Sequence, residues 1–467
     1  MQKQLIISPL IDPPATIIAK KKSVVIDLPA TLRANTTYTM NFGNAIADLH
    51  EDNSIESFQY VFSTGPVIDS LRITGKAIDA RLKKGVKDIS VLLYRNIDDS
   101  LPLKRKPDYY ARTDENGKFN ISNIGSGQYM IVALDDKNGN YICDSPQEEA
   151  ISLNKQVTPD SNEVELDYFN ERPANIYIKN LSYTGNKRWR LLMNRSSDSL
   201  TYSALAKVHP TYFESWNATH DTSFIWCNDT LVDSLYLQVL NNNIAIDTAK
   251  IFLKVVSNFK GKESGNNYFM EAFSAANGLK PLSNPELLFK NPLKNISESK
   301  IVLTTDSVPV EKIKITFLDS LKRRLMVSTK WKEGSLYKLK LLPGAVVDFL
   351  GNANDTISLS FTAINAELMG ILRLTIIKIP NGNLVLQLLN GEAGVIHQVS
   401  LNGTGLYEFK TLDPGKYQLR VIEDKNGNGY WDTGNYLLKV APESMYYFKD
   451  EIFIRANWEM EQEWSIE

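Results

Sequence analysis

Apolar and polar residues alternate with a period of two along most of this chain. Stretches 89–94, 129–134, 235–240, 312–317 and 417–422 are short, mostly alternating and rich in branched and aromatic side chains. Such side chains suit a pleated, half-buried surface, so each stretch predicts a β-strand. Clusters such as Asp114-Glu115-Asn116-Gly117, Asn381-Gly382-Asn383 and Asp413-Pro414-Gly415 punctuate them. These predict turns, because Gly, Asn and Asp tolerate left-handed backbone and Pro fixes φ. Helical patterning is scarce, and the best example, over 267–276, is short. Many short strands without alternating helices predict an all-β protein of tandem antiparallel β-sandwich domains.

The strand pattern repeats. Asp136-Lys137-Asn138-Gly139-Asn140 is identical to Asp424-Lys425-Asn426-Gly427-Asn428, an offset of 288. The same offset sets Tyr129 on Tyr417, Gly127 on Gly415, Ile124 on Leu412 and Asp144 on Asp432. The repeated unit is therefore a small β domain with an oxygen-rich loop after a Gly-x-Tyr strand. A second unit also recurs. Segments 37–42, 45–48 and 58–64 return as 336–341, 345–348 and 357–362, setting Asp48 against Asp348 and Phe62 against Phe361. The later copy starts near Leu279, well ahead of Asp348, whereas the earlier copy has little chain before it. A half-sandwich would leave an open edge and an uncovered core. The first domain is thus expected to continue upstream of Met1.

Composition adds bounds. The chain has 467 residues, 43% hydrophobic and 23% charged, enough for several cores. A net charge of −2 gives no general pull toward nucleic acid or anionic lipid. No apolar run reaches the ~18–20 residues of a transmembrane helix, and the start lacks the layout of a signal peptide. Cys143 and Cys227 are the two cysteines, too few for a disulfide framework or a four-thiolate zinc site, and are expected as free thiols. His50, His209, His220 and His397 lack metal-pair spacing, and no nucleophile elbow accompanies His220-Asp221. There is no P-loop or dinucleotide fingerprint, and nothing singles out a carboxylate pair for glycoside hydrolysis. The reading is a protein that is not an enzyme.

Three candidate sites remain, each with a plain structural alternative. In the second loop Asp424, Asn426, Asn428, the Tyr430 carbonyl and Asp432 fall at positions 1, 3, 5, 7 and 9 of an EF-hand-type calcium loop, with Gly429 at the turn. Asn435 stands where the bidentate Glu belongs, so binding would be weak, on the order of 10⁻⁴–10⁻³ M. The first loop offers Asp136, Asn138, Asn140 and Asp144, with Tyr141 in place of the glycine. The alternative is an ordinary Asn/Gly-rich turn. Trp189, Trp216 and Trp226 could stack on sugar rings or fill a sandwich core. Trp458 and Trp464, among the glutamates of 457–464, could dock a protein partner or pack back on their own domain. The basic stretch Lys104-Arg105-Lys106 with Tyr109 and Tyr110 reads as a solvated loop.

Two families resemble these segments. Asp114-Glu115-Asn116-Gly117-Lys118-Phe119, then Ile124-Gly125-Ser126-Gly127-Gln128-Tyr129 and the Asp-Lys-Asn-Gly-Asn loop, resemble the carboxypeptidase-regulatory-like, prealbumin-like β-sandwich. The strand 37–42 with 45–48, and its partner Leu342-Pro343-Gly344-Ala345-Val346-Val347-Asp348, look like the bacterial Ig-like domain first named from S-layer proteins. The expected order is an Ig-like domain at 1–66, a prealbumin-like domain at 67–170, a sandwich of uncertain type at 171–258, an Ig-like domain at 259–365 and a prealbumin-like domain at 366–467, strung as a rod. Together they resemble the Ig-like-domain proteins of Bacteroidetes. That resemblance implies a cell-surface or outer-membrane lipoprotein, held by a lipid anchor that lies outside this sequence. It also implies an envelope protein partner, with the outer-membrane protein assembly machinery as one such partner. The expected function is a non-enzymatic scaffold or binding protein, with a glycan-binding surface module as the alternative. Nucleic acid is not an expected partner.

Overall fold

A computed structural model describes residues 5–11, 13–20, 23–28, 31–42, 58–144, 148, 150–160, 163–172, 175–197, 199–205, 211–217, 219–229, 232–254 and 266–467. His50, His209 and Asp48 lie outside the described residues. The protein is all-β, built of tandem sandwiches. Among the described residues no helix is long and apolar enough to cross a membrane. The helix expected over 267–276 is a single turn, Asn266–Phe269, which runs into the strand Met270–Phe273. That strand pairs with Glu286–Phe289. Sheet pairing and the burial of Phe269 in the core override a short helical pattern.

Five groups of sheets follow one another, each around its own apolar cluster. In the first, Ile6–Ser8, Thr37–Asn41 and Gln59–Ser63 form one sheet beside the hairpin Thr16–Lys20/Ser23–Asp27. The second is a single eight-stranded sheet curled around Ile73, Tyr109, Ile131 and Leu166. The third packs a four-stranded sheet on a three-stranded one, over Trp189, Leu191, Ile225 and Leu237. The fourth surrounds Phe289, Leu303, Tyr337 and Phe361. The fifth surrounds Leu374, Leu386, Leu419 and Trp464.

Both sequence repeats reappear as geometry. Tyr38 stacks on Phe62 across paired strands at 5.3 Å and 14°, and Tyr337 stacks on Phe361 at 5.7 Å and 19°. In the second unit Val164–Asn170 pairs in parallel with Leu71–Asp79. In the fifth Glu459–Ser465 pairs in parallel with Gly370–Lys378. The acidic aromatic tail is thus a sheet strand rather than a free peptide. Alternation drives this: Met460, Trp464 and Ile466 turn inward against the core, and the glutamates turn out.

The units do not simply run on as a rod, because the fifth returns to the second. Strands Ser90–Tyr94 and Tyr129–Leu134 are buried on both faces. One face lines the second unit's own core. The other carries Leu92, Tyr94, Met130 and Val132 and is covered by Tyr436 of the fifth unit, Phe169 and part of the first unit. Unbroken apolar strands need such a second cover.

Candidate functional site

The two Asp/Asn loops fold alike. Asp424 Oδ1 accepts from the Gly427 and Asn428 amides and Oδ2 from Gly429. Asp136 accepts from Gly139, Asn140 and Tyr141 in the same way. Tyr141 takes the left-handed conformation, φ 63°, at the place where Gly429 has φ 79°. A non-glycine residue there costs roughly 1–2 kcal/mol, and its ring gains a contact with Tyr110 at 4.4 Å. The carboxylate missing at Asn435 is supplied by a residue the loop spacing does not reveal. Glu443 accepts from the Lys425 and Asp432 amides, and Glu148 accepts from Asn138 and Asp144. Burial pushes the Glu443 and Asp136 carboxyls above their ordinary range. A seven-residue insertion hides the Glu148/Glu443 correspondence from the 288 offset.

Protein donors already compensate these loops. Asp432 Oδ2 accepts from the side-chain amides of Asn426 and Asn428, and Oδ1 pairs with Arg172 at 2.7 Å. Asp144 is likewise held by Asn138 and Asn140. Among the described residues no group of three or more His, Cys, Asp or Glu side chains is arranged to hold a metal ion. In this structure the side-chain oxygens of both loops accept from N–H groups of the chain itself.

What the second loop does in this structure is dock. Thr433 donates to the Asn170 carbonyl at 2.6 Å, and the Tyr436 amide donates to Glu171. The Tyr436 hydroxyl donates to the Asp99 carbonyl and the Tyr447 hydroxyl to the Arg81 carbonyl. A Cβ on Gly434 would lie 2.7 Å from the Phe169 ring, so only glycine permits this approach.

Beside the docked loop the second, third and fifth units wall a cleft of about 800 Å³, within the range of small-molecule sites. Arg81 and Arg172 enter from the second unit and its exit, Arg195 from the third, and Arg420, Gln387 and Gln398 from the fifth. The fifth-unit groups form a line across three strands. Arg420 Nε donates to Gln387 Oε1 at 2.7 Å, Gln387 to Gln398 at 2.7 Å, and Gln398 to the Gly429 carbonyl at 3.0 Å. Arg81 lies over the Trp431 ring at 5.8 Å. None of the arginines or glutamines was a candidate from sequence. They come from three units, and no local spacing brings them together.

The structure takes the core alternative for Trp189 and Trp216 and covers Trp226 from outside. Trp189 faces inward in the third unit's core, and Trp216 stacks on Tyr202 at 5.1 Å. Trp226 is 0% exposed, on the outer face of its strand. The fourth unit covers it: Arg323 lies over its ring at 4.6 Å and pairs with Glu271 at 2.8 Å. No sugar reaches Trp189 or Trp226 in this fold. Trp464 is 8% exposed and packs on Phe448, so of the two tail tryptophans only Trp458, at 59%, meets solvent. Tyr109 and Tyr110 are buried too, and Arg105 turns to Asp108 at 3.2 Å. Both cysteines are free thiols.

One half-buried acid stands apart. Glu214 shares the inward face of its strand with Tyr212 and Trp216. Its Oε2 meets no donor among the described residues, and burial raises its pKa. A raised carboxyl contributes stability that is full below its unfolded value, ~4.3, and is lost as pH rises through the folded value. Glu214→Gln is therefore expected to melt higher than the parent at pH 7, with the gap closing below about pH 4. Melting curves across that range check it, and an equal gap at both ends would sink the assignment.

Comparison with proteins of known function found no match to this sequence. Among solved structures the chain is similar to a surface glycan-binding protein, SGBP-B, of the Bacteroides ovatus mixed-linkage glucan utilization locus. Identity is 11% and TM-score 0.20, over 94% of this chain and 98% of that one. It is similar to the Escherichia coli adhesin FdeC at 11% and 0.17, over 71% and 93%. It is also similar to BcpA, the major pilin subunit of Bacillus cereus, at 10% and 0.15, over 85% and 99%. Such scores carry no functional argument. The family model of the bacterial Ig-like domain matches residues 2–64.

Proposed function

We propose that this chain is a non-enzymatic binding protein of the bacterial cell surface, and that its ligand occupies the cleft between the second, third and fifth units. The observation that carries the reading is the Arg420–Gln387–Gln398 line, a set of polar side chains held in place by one another and turned toward the cleft. Preorganised polar groups on strands are what recognition needs. The bacterial Ig-like match over 2–64 supports the envelope part of the reading. A lipid anchor at the outer membrane belongs to the same proposal.

A second reading has its own observation. The strand Val395–Leu401 is the edge of its sheet and leaves Val395, Ile396 and Val399 exposed. An apolar open edge is a template for an added strand from an envelope protein partner. One experiment separates the two. The full chain is assayed against surface polysaccharides and against solubilised envelope proteins of its host. Gln398→Trp, which fills the cleft rim, is expected to abolish polysaccharide capture. Ile396→Lys is expected to abolish capture of a protein and spare the polysaccharide. Undiminished capture of every ligand by Gln398→Trp would remove the cleft from the account.

A further inference from the structure

The two copies of the repeated β unit treat one face differently. In the first copy Leu92 lies opposite Val132 on adjacent strands, on the face that Tyr436 covers. At an offset of 288 Val132 becomes Arg420, and the residue opposite it is Gln387. An apolar pair under a docked loop has become a cation and an amide at the wall of an open cleft.

Arg420 is 9% exposed, yet among the described residues it has no carboxylate partner. Its Nε is taken by the neutral Gln387 amide. Its terminal nitrogens donate to no described acceptor and face the cleft. A guanidinium whose Nε is fixed by an amide and whose terminal nitrogens open on a cleft presents a preset fork for an anion. The acids along the cleft are turned to other donors. Asp79 caps the Arg81 and Leu82 amides, Asp221 accepts from Asn217 and Thr222, and Glu171 accepts from Tyr436. Arg172 is paired with Asp432.

We propose that the cleft takes an acidic saccharide, with its carboxylate or sulfate received by Arg420. This rests on the cleft reading above. The saccharide, rather than an acidic peptide, follows from the remaining lining. Beyond their bonds within the protein, the amides of Gln387, Gln398 and Asn428 each keep one N–H and one oxygen lone pair, as sugar hydroxyls require, and Tyr430 offers a ring that is 40% exposed.

The test is calorimetric titration of the full chain with four probes: an oligogalacturonate, a heparin tetrasaccharide, a neutral galactan oligomer of equal length, and tetraglutamate. One of the two acidic saccharides is expected to bind at least roughly tenfold tighter than the neutral oligomer, the worth of a charge-assisted hydrogen bond. Arg420→Met is expected to weaken that binding roughly 10- to 100-fold without lowering the melting temperature of the free protein, since methionine keeps the apolar stem and the lost charge has no carboxylate partner among the described residues. A purely structural Arg420 would instead give a lower melting temperature and unchanged affinity. Arg81→Ala, at an exposed side chain beside the cleft, supplies a second variant and is expected to weaken the same binding. Equal affinity for neutral and acidic saccharides would leave the cleft reading standing and overturn the anion assignment. Tighter binding of tetraglutamate would overturn the saccharide. Binding of none of the four would overturn both readings.

Discussion

Tyr436→Ala is expected to uncouple the fifth unit from the second. Tyr436 is 2% exposed although it belongs to a loop, and it packs into the cluster of Tyr94, Met130 and Phe169 on the far side of the second unit's sheet. Its hydroxyl donates to the Asp99 carbonyl at 2.8 Å. Truncation removes the ring, leaves a cavity and orphans that carbonyl. For a buried aromatic side chain the cost is about 3–5 kcal/mol. The loss falls on an interface rather than on a unit's own core. The expected signature in calorimetry is a transition that splits, and in limited proteolysis new cutting near 433–440. Tyr436→Phe keeps the packing and should cost only about 1 kcal/mol, the worth of one hydrogen bond. A Tyr436→Ala protein that melts as the parent does would mean that the second and fifth units do not hold each other in solution.

Removal of residues 457–467 is expected to unfold the fifth unit. The strand Glu459–Ser465 supplies a parallel ladder to Gly370–Lys378, and Trp464 and Ile466 are part of the core. Deletion exposes the partner strand's backbone groups and empties the site of a buried tryptophan. Trp464→Ala alone should cost about 3–5 kcal/mol. Trp458→Ala, at a residue that meets solvent, should stay within about 0.5 kcal/mol. Tryptophan fluorescence during urea unfolding distinguishes these outcomes. Equal stability of the two single variants would return the segment to the status of a loose tail. A partner-capture experiment with the deleted chain would mistake an unfolded unit for a lost interface.

The two loops show how far reading by motif could reach. Spacing placed Asp424, Asn426, Asn428 and Asp432 together, and the structure does bring them together. Spacing could not show that Arg172, some 260 residues earlier, neutralises Asp432, nor that Glu443 completes the loop. Oxygen-rich turns look the same whether their acceptors face a cation or the backbone amides of their own chain. The tryptophans stayed open between core and sugar site for a related reason. Sequence marks a large aromatic residue but not which neighbour covers it, so Trp226 reads the same in a core, on a surface or beneath Arg323.

The sequence by itself determined the all-β class, the two repeats and the turns that bound them. Each depends on alternation, turn chemistry or hydrogen bonds within a short span, and such rules act before distant segments meet. Only the tertiary structure decided that the fifth unit returns to the second, that the acidic tail is a buried-face strand, and that Arg420 faces a cleft where Val132 faces a tyrosine. Those outcomes depend on how whole units pack across hundreds of residues. One replacement at an equivalent position of a repeat, valine to arginine, carries no meaning until it is known what lies opposite.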